Sequence, residues 1–294
     1  MNLKEMARYP EDKVRALVGL PPAALGELLL AALPEIARRR QQEQADKPTR
    51  RRKVGGGRKR LLKPYQEVLL TLIYLRHNVA FCVVGQMFAV SADVAENTFH
   101  EILAVLRDVC PANRYEAEKR WTKKAPSWKP EAMDRVIVDS FETPVPRPSI
   151  EPKQRRLYSG KKKDHTLKTQ VVTDAKGEIP AIAPGHPGPL SDKRLYEQSN
   201  ASTQFPNAHK EGDKAYVGIS GMQTPQKKPR KAELTDAQKA ANRQFSSGRV
   251  HVEHGIRRIK AFRIVRDEYR LDTGLFSRVA NSVVGLVQLA RLIV

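Results

Sequence analysis

Three things are scarce in this sequence of 294 residues: cysteine, long apolar runs and acidic residues. The two cysteines, Cys82 and Cys110, form no CxxC pair, which argues against a zinc knuckle or a disulfide scaffold. No run of about 18 apolar residues is present, so we expect no membrane-spanning helix. The apolar stretch Leu28–Leu33 is too short and too far from the N-terminus for a secretory signal. These absences predict a reduced, cytoplasmic protein.

The shortage of acidic residues gives the chain a large positive charge. Its 53 Lys and Arg residues stand against 32 Asp and Glu, a formal charge of +21. Such a surplus repels itself unless a polyanion neutralises it, so a nucleic acid is the expected partner and a membrane surface the weaker alternative. Eleven of the basic residues, including Arg50, Arg51 and Arg52, lie between Arg38 and Arg60. We expect this glycine-containing stretch to contact the DNA backbone, although a solvated linker is the alternative.

The first 125 residues have the pattern of helices. Residues 1–60 are interpreted as N-terminal helices, broken at Pro21-Pro22, followed by the basic linker, and residues 61–125 as a separate helical domain. A short helix near Val83–Phe88, a tight turn and a third helix capped by Ser91 outline a helix-turn-helix. Asn97 and His100 could read base edges. Packing or dimerisation of this unit is an equally good interpretation.

From residue 126 to 294 the pattern is that of an α/β domain with a mixed sheet. Arg135–Asp139 predicts a buried strand that ends on an acid, and His165–Ala183 predicts a hairpin with its turn after Thr173. A further strand should lead into Asp213, although its residues are unusually polar. A long helix, roughly Thr235–Phe262, and an apolar helix near the end should follow.

Three acids in this domain are candidate metal ligands. Asp139 and Asp213 should lie at strand ends, and Glu253 lies on a helix with Arg249, Arg257 and Lys260 at helical spacing on its face. Clustered carboxylates in a basic surface suit two Mg²⁺ ions that cut a phosphodiester. Taken singly, each acid has a simpler interpretation as a turn cap or a surface ion pair.

Four segments together are more informative than any single acid. They are VIVDSFE at Val136–Glu142, YSGKKKDHTLK at Tyr158–Lys168, GDKAYVG at Gly212–Gly218 and RVHVEHGIRRIKAFRI at Arg249–Ile264. They resemble the core motifs of bacterial insertion-sequence transposases of the DDE superfamily, most closely the insertion-sequence-five group. The resemblance extends from about Lys13 to the end of the chain.

This resemblance implies a ribonuclease-H-like catalytic domain, preceded by an all-helical domain of helix-turn-helix type. It implies that Asp139, Asp213 and Glu253, spaced by 74 and 40 residues, are the catalytic, metal-binding residues. Mg²⁺, or Mn²⁺ in its place, would support cleavage at element ends and joining to target DNA. The implied partner is double-stranded DNA, both the terminal inverted repeats of the element and the target DNA. Two copies of the chain would assemble on this DNA, and the protein would associate with the nucleoid. The implied or expected phosphate contacts are Lys161, Lys162, Lys163, Lys168, Lys214, Arg249, Arg257 and Lys260, with Arg155 and Arg156 as additions.

Several alternatives stay open. Glu142 could replace Asp139 as a ligand, but strand alternation should turn it to the opposite face. His165, His251 and His254 lack the spacing of a zinc site. A decayed or repurposed transposase that only binds DNA is the main functional alternative, and a hydrolase of RNA/DNA hybrids is another. The intact acids favour an enzyme, and the basic N-terminal region favours a protein that holds a DNA end.

Overall fold

The computed structural model of this protein describes residues 3–6, 8–46, 59–122, 125–126, 129–199, 201–229 and 232–293. The predicted DNA contacts Arg50, Arg51 and Arg52 lie outside these residues. The helices that precede the sheet are α1 (Leu3–Met6), α2 (Glu11–Val18), α3 (Pro22–Ala45), α4 (Pro64–His77), α5 (Phe81–Met87), α6 (Ala92–Val109) and α7 (Arg114–Trp121).

The predicted break at Pro21-Pro22 is confirmed. Gly19 ends α2 with a φ of 82°, and Pro22 begins α3. The basic stretch differs from the prediction because α3 continues to Ala45, so that its first arginines are helical. Arg40 is ion-paired with the buried Glu67 and with Glu101, at 2.6 and 2.7 Å. The charge of Arg40 is therefore neutralised within the protein.

The helix, turn and helix predicted around Ser91 are confirmed as α5 and α6. Ala89 takes a left-handed conformation with φ 55°, and the Ser91 hydroxyl accepts a hydrogen bond from the amide of Val94. Gly85 permits this tight turn, since a Cβ there would lie 2.6 Å from the Val90 carbonyl oxygen. The exposed start of α6 carries the acid Asp93. Its charge repels phosphate, which favours a packing or dimerisation role for this helix end.

The second half of the chain contains all the described strands. Its elements are β1 (Arg135–Pro144), α8 (Glu151–Leu157), β2 (Tyr158–Ser159), β3 (Asp164–Asp174), β4 (Ala181–Pro187), α9 (Asp192–Gln198), α10 (Ala201–Gln204), β5 (His209–Gly212), β6 (Met222–Gln223), α11 (Asp236–Gly248), α12 (Val250–Lys260), α13 (Arg263–Arg266) and α14 (Phe276–Leu292).

These strands form one mixed sheet of six strands in the order β2-β3-β1-β5-β6, with β4 also paired to β3. β3 is antiparallel to β1, β2 and β4, whereas β5 is parallel to both β1 and β6. The predicted hairpin is β3 and β4. Asp174 closes its turn by accepting from the amides of Lys176 and Glu178, and Gly177 supplies a φ of 75°.

The polar strand before Asp213 exists, and a contact distant in sequence explains its composition. Glu211 is buried in β5, where both of its oxygens accept hydrogen bonds from the guanidinium of Arg135 on β1, at 2.7 Å each. A bidentate pair of this kind satisfies the buried carboxylate. β5 is therefore a short strand that tolerates a charge in its interior.

The predicted long helix differs from the structure because it is divided into two. Arg249 separates α11 from α12, and its amide bonds to the carbonyl of Ser246 three residues earlier rather than four. α11 buries none of its residues, whereas α12 buries Val252 and Ile259. The two helices thus have different surroundings, which one continuous amphipathic pattern cannot distinguish.

The sheet separates two apolar clusters. On one face Phe141, Leu167 and Val171 join α12, α13 and α14 and the helices of the first half. On the other face Val138 and Val172 pack with aromatic residues such as Tyr216. Because the first cluster is continuous with α2–α6, the division at residues 60 and 125 stays a prediction. In the described part of the chain no single helix could cross a membrane by length and apolarity; α2 and α3 reach that limit only as a pair bent by 50°.

Candidate active site

Asp139 lies on the face of the sheet that α12 covers. Its Oδ1 accepts from the Ser140 amide at 2.8 Å, and its Oδ2 lies 3.0 Å from a terminal nitrogen of Arg249. Burial raises the pKa of Asp139 above its usual value, the Ser140 amide and Arg249 act against that rise, and the charge of Asp213 adds to it. A desolvated carboxylate near a second carboxylate favours a bound cation, and Arg249 supplies one.

Asp213 follows β5 directly and lies beside Asp139. The parallel register pairs Val138 with Gly212, so the next residue of each strand is one of the two acids. Asp213 accepts from the amide of Ala215 at 2.7 Å and begins a short 3-10 turn. Gly212 allows the Tyr216 ring to lie against the strand, since a Cβ there would be 2.7 Å from that ring. The strand predicted to end at Asp139 in fact continues to Pro144, because β3 pairs with β1 along its whole length. The aspartates meet because β5 ends at Gly212 beside the middle of β1, which places Asp213 next to Asp139.

Glu253 lies on α12 one turn after Arg249. It is exposed, and its side chain makes no hydrogen bond or ion pair with the described residues. Arg249 at the start of this helix contacts Asp139, and Lys260 at its end lies with its ammonium 5.0 Å from the centre of the Phe141 ring. Glu253 and Arg257 occupy the helix face between these two contacts. The face that carries Glu253 is therefore anchored at both ends to β1.

The donor chemistry of this cluster fits a hard divalent cation, because Asp139, Asp213 and Glu253 offer only oxygen. Within the described ranges, no three acidic, histidine or cysteine side chains are already gathered at metal-binding distance. Asp139 and Asp213 are juxtaposed, whereas Glu253 is not brought into contact with them. Arg249 meanwhile holds a positive charge against Asp139, where a metal cation would be bound.

Exposed cations surround the acids. Lys161, Lys162 and Lys163 lie in the turn between β2 and β3. Burial lowers the pKa of Lys260, and the charge of Lys162 lowers it further, while Asp139 acts in the opposite sense. The turn, the end of α12 and the first acid are thus electrostatic neighbours. Other predicted phosphate contacts with exposed side chains are Lys214, Arg257, Arg155 and Arg156.

Lys168 corrects one expectation. Its side chain is 7% exposed, and its ammonium donates to the Leu190 carbonyl at 2.6 Å and to Asp192 at 3.2 Å, with Glu142 at 3.8 Å. It lies opposite Glu142 in the register, on the face of the sheet away from Asp139. Buried and already paired, it is an internal counter-ion rather than a phosphate contact. The alternation that turns Glu142 away from Asp139 is confirmed by these contacts.

The sequence interpretation missed Asp192 as a member of this neighbourhood. Its carboxylate accepts from the Ser140 hydroxyl at 2.5 Å, next to Asp139 in the chain. Burial raises the pKa of Tyr216 well above its usual value, and the charges of Asp192, Asp139 and Asp213 raise it further. The only local signal was Ser191, which caps α9 and so fixes Asp192 in its first turn.

Comparison with known proteins identifies this arrangement. Residues 138–291, just over half of the chain, match the family of DDE superfamily endonucleases. The chain belongs to that superfamily. Residues 59–111 match the helix-turn-helix of DDE superfamily endonucleases. The predicted family and the ribonuclease-H-like α/β fold, with a helical region before it, are therefore confirmed.

One curated relative is a probable transposase for insertion sequence element IS702 from Microchaete diplosiphon. It is 35% identical to this DDE-superfamily chain over 163 residues, which are 53% of the chain and 57% of the relative. The alignment therefore spans little more than half of the relative's length. No solved structure matches the chain.

Proposed function

We propose that this member of the DDE superfamily is a transposase that cuts the ends of a mobile element and joins them to target DNA. The observation that carries the proposal is the pair Asp139, within β1, and Asp213, directly after the adjacent parallel strand β5, beneath a helix face that presents Glu253 among cations. The relative named as a probable transposase supports the same activity.

Asp139, Asp213 and Glu253 are the residues that would hold Mg²⁺, with Mn²⁺ as a substitute. Held by these residues, a divalent ion would supply positive charge at the scissile phosphate and would help to form the attacking oxygen nucleophile. The protein strengthens cation binding by partly burying Asp139, because a carboxylate shielded from water interacts more strongly with a cation. Arg249 neutralises this carboxylate when no metal is bound.

The cations around the acids position the DNA backbone in this proposal. Lys161, Lys162 and Lys163 on the turn and Lys260 and Arg257 on α12 would contact phosphates. Such contacts set the register of the DNA but carry no sequence information. Their number makes binding strongly dependent on salt. We infer further that Lys214 contacts a phosphate beside Asp213.

The partners follow from the same proposal. The duplex DNA would be the terminal inverted repeats and the target, with two copies of the chain assembled on it. The helix-turn-helix segment at 59–111 would serve DNA reading or dimerisation, and the acids at the exposed start of α6 favour dimerisation at that end. The protein would be found with the nucleoid.

Nicking and strand transfer test the activity. The full chain is incubated with Mg²⁺ and a duplex that carries the inverted repeats flanking its gene. We expect cleavage at the repeat ends followed by joining of the free 3′ hydroxyl to a second DNA. Glu253→Gln should abolish both steps, and Glu197→Gln, an exposed glutamate on α9, is the matched control that should leave them unchanged. Cleavage by Glu253→Gln at the rate of the parent would refute the assignment of this residue.

The second candidate function is DNA binding without catalysis. Glu253 stands apart from the two aspartates, and Arg249 already neutralises Asp139, which is the observation in favour. In that case the parent would bind the repeat duplex but would neither nick nor join it in Mg²⁺ or Mn²⁺. Neutral substitutions of Asp139 and Asp213 should leave DNA affinity close to that of the parent under either function, so nicking and joining are what separate the two.

A further inference from the structure

A cleft beyond the end of β1 is not used by the proposed reaction. It has a volume of about 490 Å³, within the range of small-ligand sites. Its lining residues are Arg147, Gln154, Arg155, Tyr158 and His165. The cleft thus combines two rings, two guanidinium groups and one amide.

The rings form an exposed aromatic surface. Tyr158 on β2 pairs with His165 on β3, and their ring centres are 5.5 Å apart in an edge-to-face arrangement. Tyr158 is 46% exposed and lines the cleft, so it is open to solvent there. Pairing with β3 fixes its backbone, so the ring is held in place while one side of it stays open. Such a ring is a stacking platform for a flat ligand.

The guanidinium groups give the cleft its charge. Arg147 donates from Nε and a terminal nitrogen to the side-chain oxygen of Gln154, at 3.2 and 3.0 Å, which holds it at the cleft. Among the described residues Arg155 pairs only with the exposed Glu151, and an exposed pair of this kind is weak. Both guanidinium groups therefore retain donors for an anionic ligand. A ligand that matches both the aromatic surface and the guanidinium groups has a flat ring and a phosphate, as a nucleotide does.

The cleft lies on the same face of the sheet as Asp139. The register places Asp139 opposite Val171, and His165 is an even number of residues from Val171 along β3, so its side chain is on the same face. Six residues of strand separate the two positions by about 20 Å. Between Tyr158 and His165 lies the turn that carries Lys161, Lys162 and Lys163. This basic turn therefore adjoins the cleft, and Lys162 lies close enough to Lys260 on α12 for their charges to interact.

We propose that this cleft binds an unpaired nucleotide of the DNA that occupies the active site. The base would stack on Tyr158, beside His165, and the neighbouring phosphate would contact Arg147 and Arg155. A base within a duplex has both faces covered by its neighbours, so only a terminal or unpaired base can offer a face to Tyr158. This inference rests on the proposed function, because it requires DNA at the acids.

Binding of two matched duplexes to the full chain tests the proposal. One duplex is blunt and the other carries three unpaired nucleotides, made in both 5′ and 3′ versions, and chelator in the buffer prevents cleavage. The parent should bind one overhang version more tightly than the blunt duplex. Tyr158→Ala should weaken binding of that overhang duplex roughly 5- to 100-fold and leave the blunt duplex unchanged. Tyr158→Phe, which keeps the ring, should behave as the parent.

A fluorescent base reports the stacking directly. With 2-aminopurine in the overhang, the parent and Tyr158→Phe should quench its emission, whereas Tyr158→Ala should not. Arg147→Ala should weaken overhang binding without loss of quenching at saturation, and melting temperatures check that each variant is folded. Equal affinity of the parent for blunt and overhang duplexes, or unchanged quenching in Tyr158→Ala, would overturn the proposal while the proposed function stands. Failure to bind either duplex would overturn both.

Discussion

Both faces of the sheet at β1 carry acidic and basic side chains, but the charges on one face are partly exposed and those on the other are buried. On one face Asp139 forms an ion pair with Arg249, and these two side chains are 21% and 19% exposed. On α12 nearby, Glu253 has no partner in the part of the chain that the structure describes. On the other face Lys168 lies between Glu142 and Asp192, and at most 14% of any of these side chains is exposed. Buried charges are costly unless every one is paired. The second cluster is therefore a fixed part of the fold, and the first can exchange its cation.

Removing the internal cation should have the largest effect. Lys168→Met leaves Glu142 and Asp192 buried without their counter-ion, so the free energy of unfolding should fall by about 3–5 kcal/mol. Urea denaturation measures this loss. Lys161→Met, in the exposed turn, is the matched control and should change stability by no more than about 0.5 kcal/mol. Equal stability of the two variants would contradict the difference between the faces.

Removing the first acid should affect catalysis strongly. Asp139→Asn deletes the charge that would hold the metal, so repeat-end nicking in Mg²⁺ should fall at least about a hundredfold. DNA affinity measured in chelator should stay close to that of the parent. A gel assay of nicking and a filter-binding assay separate the two effects. Full activity of Asp139→Asn would mean that Glu142 or another acid is the first ligand.

Removing Arg249, the cation paired with Asp139, should have a smaller effect, and it should strengthen metal binding rather than weaken it. In the absence of DNA, a divalent ion has to displace Arg249 from Asp139. Arg249→Gln should therefore raise the affinity for Mn²⁺ about two- to fivefold, the range expected for loss of one partly exposed ion pair. Titration calorimetry of the DNA-free protein measures it. Arg257→Gln, on the same helix face but without an ion pair among the described residues, should leave the affinity unchanged; a fall in affinity in Arg249→Gln would reverse the interpretation.

The pH dependence of stability is the smallest expected effect. Burial raises the pKa of Asp139 in the folded protein, so the fold favours the protonated form and loses stability as the pH rises through that pKa. Asp139→Asn should therefore be more stable than the parent at pH 7 in chelator, and the difference should shrink as the pH is lowered toward about 4. Thermal unfolding across this range measures it. A difference that grew on acidification would mean that Arg249 outweighs burial.

Much of the fold could be predicted because its signals are local. The turn after Thr173 and the caps at Ser91 and Ser191 each depend on a few neighbouring residues, and each lies at an element boundary in the structure. The apolar run into Asp139 correctly predicted a strand but not its end, because β1 continues to Pro144 against β3. The family resemblance added the order of the three acids. The positions of Asp139 and Asp213 side by side follow from the parallel register, which the sequence alone implied only through that resemblance.

The predictions that were wrong concern features that depend on contacts between residues far apart in the chain. Glu211 made β5 look too polar because its partner Arg135 lies 76 residues earlier. The alternation of β3 placed Lys168 on a face of the sheet, but only the packing of α9 shows that this face is closed. The boundary at Arg249 depends on α12 packing against the sheet while α11 does not. None of these contacts leaves a pattern within a short window of sequence.

Gly212 has a consequence for how this chain can vary. Any side chain there would meet the Tyr216 ring at 2.7 Å, and moving that ring displaces the turn that carries Asp213. Selection for an intact carboxylate therefore acts on a residue that has no functional group of its own. In a saturation library screened for DNA cleavage, position 212 should accept glycine alone, while the exposed Lys214 two residues later should tolerate other residues more readily.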